Sequence, residues 1–422
     1  MIKKLFAFAL VSLLAFSLTA CSTNTAKGPV NISLTLWDEV QAPIIQKNID
    51  RFNTLNEGKI KATIELVPWS NYWQKLDASL GSAASADVMW MNVYLPKYVD
   101  GKVVKALDEF IKKDKLDLTQ YVTARVDAFK YKNQQYSLPK GLDAVFVAYN
   151  KEIFDKYGVD YPKEGWSWDD MRAAATKLRD AIAAKSGKEY PIAMELDGQP
   201  SYINFIQQNG SAYLSADGKT TNIGDAKAID AIQQVVNLMS DKLMAPYTVL
   251  SETKGTDMFV SGQAGIVFIG SWKASVLNES SLGKTGKIGL VQMPKMASSN
   301  TSVLGGLGYA MSANTKNPNQ AWALIKFLTS EESETFEAKN GIDFPANIKA
   351  QAEYVKSFPN INGQVIANAT LTGFPYPSNG NFEWTTFVDD AITLALSGKA
   401  PVAETLKAGA LKAQAVLDKL NK

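Results

Sequence analysis

Residues 31–67 read NISLTLWDEVQAPIIQKNIDRFNTLNEGKIKATIELV, and two periodicities share them. Ile32, Leu34 and Leu36 alternate with Ser33 and Thr35, the pattern of a strand with one buried face. Pro43 then opens a helix in which Ile45, Ile49 and Phe52 recur at helical spacing, and Gly58 stops it. Alternation returns in KIKATIELV through Ile60, Ala62, Ile64 and Leu66. A helix from about Trp69 and the short strand ADVMWMN, residues 86–92, complete a β-α-β-α-β order. Strands joined in this way lie parallel, through right-handed crossovers.

Downstream, the strand DAVFVAYN begins at Asp143 and runs into a short helix, KEIFDKYG, closed by Gly158. In GWSWDDM, Ser167 stands three residues before Asp170, the spacing of a capping box at the start of a long helix. A helix is expected over about Asp225–Leu243, with Ile229, Ile232, Val236, Met239 and Leu243 on its core face. AGIVFIGSW is a buried strand ending in Trp272, and helices are expected over about Asn319–Leu328 and Val402–Leu420. The last of these places Val402, Leu406, Ala413, Leu417 and Leu420 inward. Glycines punctuate LGGLGYAMS, but no GK[ST] follows Gly305–Gly308, so turns or close backbone approach explain them better than a phosphate loop. ADGKTTNIGD lacks the acidic density of a calcium loop and is expected to be a surface turn. No internal repeat, low-complexity tract or charged block interrupts the chain.

Ahead of all this lies MIKKLFAFALVSLLAFSLTAC. Lys3 and Lys4, the apolar run Leu5–Leu18 and the small residues Thr19 and Ala20 form a charged region, a hydrophobic region and a cleavage site. The run is shorter than the ~20 residues a spanning helix needs. LTAC resembles the bacterial lipobox, in which the cysteine is acylated and becomes the first mature residue. Residues 1–20 are therefore expected to be a signal peptide and 21–28 a lipidated Cys21 with a polar tether. Two acyl chains hold a protein stably on a membrane where one does not. Cys21 is the sole cysteine of 422 residues, so no disulfide framework is available and the core must carry stability. At 46% hydrophobic residues it can, and roughly 400 mature residues are enough for two lobes.

Lysine and arginine number 44 against 42 acids, and the leader holds two of the lysines, which argues against nucleic acid as partner. Histidine is absent, which removes Ser-His-Asp and Cys-His nucleophilic sites and imidazole-based metal sites. No cofactor or metal is expected. Carboxylate chemistry remains open.

Of nine tryptophans, Trp37, Trp90 and Trp272 lie where predicted strands end, the edge at which open α/β sheets bind ligands. An indole face suits the C–H patch of a pyranose, while carboxylates, amides and lysines take its hydroxyls. Both kinds of group occur together: Asp38 and Glu39 follow Trp37, Asn92 follows Trp90, and Asp143 follows Lys140. Packing is the better reading for Trp69, Trp73, Trp166, Trp168 and Trp322, and ligand contact for Trp37, Trp272 and Trp384; Trp90 stays open between the two. Asp38 and Glu39 equally suit a pair that complements a helix dipole.

Taken together, these segments resemble the extracellular solute-binding proteins of ATP-driven importers, in the group that includes maltose-type sugar binders. The carriers are the strand ending in Trp37-Asp38, SADVMWMN, PKGLDAVFVAYNKEIFDKYG, GWSWDD, FVSGQAGIVFIGSW, AWALIKFLTSEES and FEWTTFVDDAITLALSGKAPVAETL. The resemblance implies two α/β lobes, each a mostly parallel sheet flanked by helices, joined by hinge crossovers. Residues 29–141 with 304–330 would form one lobe, and 142–303 with 331–422 the other. It implies a mono- or oligosaccharide in the cleft, stacked on Trp272 and Trp384 and held by Asp38 and Asp143, with Asn92 and Tyr376 as further cleft positions. ABC transporter permease subunits would be the protein partner, and no reaction would occur. A secreted glycosidase would need two carboxyls ~5 to 9.5 Å apart across one bond; eight regular βα units, the mark of a barrel enzyme, are missing. A non-sugar solute is the third reading, and clustered acids for it are few.

Overall fold

The computed structural model describes residues 28–79 and 85–420. The leader, Cys21 and the tether through Lys27 lie outside the described residues. The strands on the main paths of the two sheets are, in chain order, β1 (Val30–Leu36), β2 (Ile60–Leu66), β3 (Val88–Met91), β4 (Ser137–Asp143), β5 (Val145–Asn150), β6 (Tyr190–Met194), β7 (Ala264–Gly270), β8 (Ile288–Val291), β9 (Val303–Ser312) and β10 (Phe344–Pro345), and the two-residue strands Val104–Lys105 and Phe374–Pro375 join the first sheet beside β9. The helices that matter below are α1 (Ala42–Leu55), α2 (Trp69–Ala78), α3 (Trp168–Ala184), α4 (Ala226–Ser240), α5 (Pro318–Leu328), α6 (Glu331–Lys339), α7 (Thr385–Leu396) and α8 (Val402–Leu420).

The first sheet runs β10-β4-β9-β3-β1-β2. As the alternating pattern requires, β1 pairs in parallel with β2, from Val30 opposite Ile60 to Leu36 opposite Leu66, and in parallel with β3. The expectation of mostly parallel sheets fails beyond these strands. β9 runs antiparallel to β3 and β4, and β10 antiparallel to β4. The second sheet, β8-β5-β7-β6, has one parallel pair, β7 with β6. The cause is connectivity: β4 leads out of the first lobe and β9 leads back into it, so side by side they point opposite ways. Leu34, Ile49, Trp90 and Trp322 share the core of the first lobe, while Phe268, Ile232, Trp384 and Leu406 share that of the second.

Local chemistry explains the helices. Pro43 opens α1, which buries Ile45, Ile49 and Phe52. Ser167 and Asp170 form the reciprocal capping box of α3. α4 ends earlier than expected and turns a different stripe inward, Ala228, Ala231, Ile232, Val235 and Leu238. Its alanines permit close approach to neighbouring helices, and Ile229, Val236 and Met239 are left partly buried. α8 buries Val402, Leu406, Ala413 and Leu417 as expected, but leaves Leu420 exposed.

Two further corrections concern the junction between lobes. Asp143 closes β4 instead of opening a strand; the chain leaves the first sheet there and enters the second at Val145. The amides at this crossing are satisfied by side chains: Ala144 N–H donates to Ser271 Oγ at 3.1 Å and Val145 N–H to Ser302 Oγ at 2.6 Å. Residues 331–345, expected in the second lobe, bridge the two: β10 pairs β4 and Asn48 of α1 donates to Glu337 of α6 at 2.9 Å, while Ala338 and Phe344 pack with the second core. LGGLGYAMS is no set of turns but strand β9, whose glycines serve close approach. A Cβ on Gly306, at φ +146°, would lie 2.4 Å from the Gly141 carbonyl oxygen and 2.8 Å from the Arg125 guanidinium.

Candidate functional site

Trp37 stands just past the C-terminal end of β1. Its indole meets Trp69, Tyr72 and Trp90 edge-to-face, with centroids 5.3, 4.7 and 5.1 Å away, and Trp73 at a tilt at 5.5 Å. Within this aromatic wall Trp90 is 0% exposed and belongs to the core, whereas Trp69 is 45% exposed. Trp69 packs on Trp37 and Trp73, as expected, and also leaves part of its ring open to solvent. It stands three residues past the end of β2, where the strand-end rule that singled out Trp37 reaches it.

Asp38 serves the backbone with one oxygen: Oδ1 accepts from Val40 N–H at 2.8 Å and Gln41 N–H at 3.0 Å, at the start of α1. The helix-start reading thus accounts for Oδ1. Asn92 is partly buried and shapes a turn, its Oδ1 accepting from Tyr94 N–H at 3.0 Å. Tyr94, which no sequence pattern singles out, packs on Trp73 at 4.5 Å and crosses the seam to meet Phe382 edge-to-face at 4.1 Å. Beside it, Ser378 Oγ donates to the Val93 carbonyl at 3.5 Å. The lobes therefore touch on this side as well as at the crossing.

The floor of the seam is ionic. Lys140, 1% exposed, donates to Asp343 at 2.7 Å and Gln41 Oε1 at 3.0 Å, and lies 3.4 Å from Glu337. Burial works against its charge, yet Asp343 and Glu337 hold the proton more firmly than in a free lysine. Asp143 is 9% exposed; burial and the repulsion of Asp343 push its carboxyl up to about 8, against the pull of Arg125 and Lys140, with Asp38 adding to the push. Asp38 and Asp143 are thus brought within electrostatic reach of one another.

Trp272 follows β7 and is partly exposed. Its indole folds back over Gly270, where a Cβ would lie 2.1 Å from the ring. Ser271 N–H donates to the Ala144 carbonyl at 2.8 Å, which holds Trp272 beside the end of β4 and Asp143. Tyr376 is partly exposed, with Phe382 at 6.4 Å. Trp384 does not join them. It is 0% exposed, its Nε1 donates to the Asn381 carbonyl at 2.8 Å and its ring backs Tyr213 at 5.2 Å, so it is core and not a stacking face. It precedes α7, whose inner face fills the second lobe. Also unforeseen are Asp197, three residues past β6, and Tyr202, whose hydroxyl donates to Asp389. The strand-end rule applied to β6 points to Asp197.

Two α/β lobes, linked by strands that change sheets and lined along their seam by aromatic faces and carboxylates, define a two-lobed solute receptor. The chain belongs to the bacterial extracellular solute-binding protein family, whose model matches residues 37–335. It is 23% identical over 420 residues to the galactooligosaccharide-binding protein of Bacillus subtilis, covering 96% of this chain and 95% of that one. Among solved structures it resembles an ABC substrate-binding protein from Listeria monocytogenes in complex with cycloalternan, with a TM-score of 0.84, 21% identity and coverage of 94% and 99%. Maltose-bound MalE3 of T. maritima is similar with a TM-score of 0.78, 20% identity and coverage of 93% and 100%.

Proposed function

We propose that this chain is an extracytoplasmic carbohydrate-binding protein, anchored by a lipid on Cys21, that delivers a mono- or oligosaccharide to the permease of an ABC importer. The observation that carries the reading is the seam itself. Trp37, Trp69, Tyr94 and Trp272 offer aromatic faces there, and Asp38, Asp143 and Lys140 stand close by. Such a surface suits a ring with apolar C–H faces and a rim of hydroxyls. The galactooligosaccharide, cycloalternan and maltose named for similar proteins support the sugar class. Contacts drawn from both lobes exist together only in the closed form, so ligand shifts the population toward closure. The sugar leaves as it came.

Thermal-shift screening against mono- and oligosaccharides, with sugar analysis before and after incubation, tests this. The expected result is a sugar that raises the melting temperature and is recovered intact. Conversion of the sugar would favour a carboxylate hydrolase; a shift produced only by non-sugar solutes would remove the carbohydrate reading.

A further inference from the structure

Four strands of the first sheet end along one edge. β1, β2 and β3 run parallel, and β4 points the same way because β9 lies antiparallel between it and β3. In the order β4-β9-β3-β1-β2, each of those four ends carries or meets an aromatic side chain. Trp272 is held beside the end of β4, Tyr94 lies three residues past β3, Trp37 follows β1 directly and Trp69 lies three residues past β2. From Tyr94 to Trp69 the rings are continuous. Trp73 stands 4.5 Å from Tyr94 and 5.5 Å from both Trp37 and Trp69, and Trp37 stands 5.3 Å from Trp69.

Trp69 is the far end of this row, beside the outer strand of the sheet. Nearly half of it is open to solvent, and Leu66 and Val40 are exposed at the same edge. No group among the described residues accepts from its Nε1. Packing on Trp37 and Trp73 therefore uses only part of the side chain. Exposed apolar surface continuous with a binding wall marks contact with a further part of the same ligand. Length decides what that ligand is. Four strand steps separate β4 from β2, ~19 Å at ~4.8 Å a step, and one step is close to what one pyranose adds to a linked chain. A mono- or disaccharide seated on Trp272 stops short of β2. We infer that the ligand is an oligosaccharide of at least three pyranose units, laid across the strand ends from Trp272 to Trp69, with Trp69 as the platform for the unit farthest from the crossing. This rests on the carbohydrate reading above.

Calorimetry on the purified protein tests it with length series. The probes are maltose, maltotriose and maltotetraose, the corresponding cello-oligosaccharides, and β-1,4-linked galactobiose, galactotriose and galactotetraose, with glucose and galactose as single units. In the series that binds, a tri- or tetrasaccharide should bind roughly tenfold more tightly than the disaccharide. Trp69→Ala should erase most of that preference, and Trp69→Phe, which keeps a smaller ring, should erase less. The melting temperature reports whether Trp69→Ala folds; if it does not, the wild-type series and Trp69→Phe decide. A single unit or disaccharide that binds as tightly as every longer member overturns the inference while the carbohydrate reading stands. So does a length preference that survives in folded Trp69→Ala, and so does a loss that falls equally on short and long sugars, which would make Trp69 only a support for Trp37. Unchanged sugar binding with weaker association to the permease would assign the exposed ring to a protein contact and overturn it too. No binding in any series also overturns it, and the thermal-shift screen above then decides whether the carbohydrate reading survives.

Discussion

Replacing Trp272 by alanine removes a partly exposed indole that stands outside both hydrophobic cores. If Trp272 stacks on the sugar as proposed, the loss of apolar contact at ~25 cal/mol per Å² and of about 1 kcal/mol of stacking should weaken sugar binding roughly thirtyfold in calorimetry, with little change in ligand-free unfolding. Trp384→Ala should do the reverse. It empties a fully buried site behind Tyr213, so denaturant unfolding should report a loss of about 3 to 5 kcal/mol. Trp272 is read from a strand end and Trp384 from the family resemblance, and depth separates the two. Asp143 makes a prediction in pH. Its carboxyl, pushed up to about 8 from the ordinary 3.8, keeps its proton in the fold where the unfolded chain has released it. Stability therefore falls as pH rises through that window. In Asp143→Asn that part of the slope disappears, so melting temperatures measured between pH 5 and pH 8 should converge in the variant; an unchanged slope would mean that Asp143 is ionised throughout.

Among elements, β9 is the most constrained. Gly306 lies at positive φ between the Gly141 carbonyl and Arg125, so Gly306→Ala strains the backbone and displaces a buried cation. Unfolding should show a loss of at least ~1–3 kcal/mol. The same change at Gly58, where a Cβ meets nothing within 4 Å, carries only the φ penalty and should do less. β1 and α1 were legible because each repeats one period long enough to be read and buries what that period predicts; β2 keeps its period but, as the outer strand of its sheet, buries only Ala62 and leaves Leu66 exposed. β9 was not, because three glycines hide its alternation, and the reason for them is a neighbour distant in sequence. α4 was placed but its face was missed: where helices cover a helix on several sides, two apolar stripes compete, and the alanines that win have little hydrophobic signal. The candidate site was half legible for a related reason. Strand ends announce Trp37 and Trp272, but Asp143 was expected to open a strand, and Tyr94 and Phe382 meet only because two loops from different lobes come together.

At the scale of the whole molecule, saturating sugar should raise the melting temperature by binding the native state, a gain of RT ln(1 + [L]/Kd). It should also narrow the distribution of radii of gyration in solution scattering toward the closed value; a bound ligand that leaves the scattering unchanged would count against hinge rotation. Cys21→Ser should be shed into the medium or left uncleaved while its sugar affinity holds, which cell fractionation and mass spectrometry can check. The two-lobe α/β class was legible from segment order, but the mixed sheets were not, since strand direction depends on which lobe a strand comes from. The crossing at Ala144 and Val145 has a consequence for time. An amide in a strand ladder must lose its partner when the sheets rotate, and an unpaired buried amide costs about 1–3 kcal/mol. Here the partners are the hydroxyls of Ser271 and Ser302, which swing about single bonds and can follow the backbone as it turns. Each bond kept through the motion spares the barrier that amount, and about 1.4 kcal/mol is tenfold in rate. The two serines are therefore expected to act as a bearing, and Ser271→Ala with Ser302→Ala should slow ligand release measured by stopped flow.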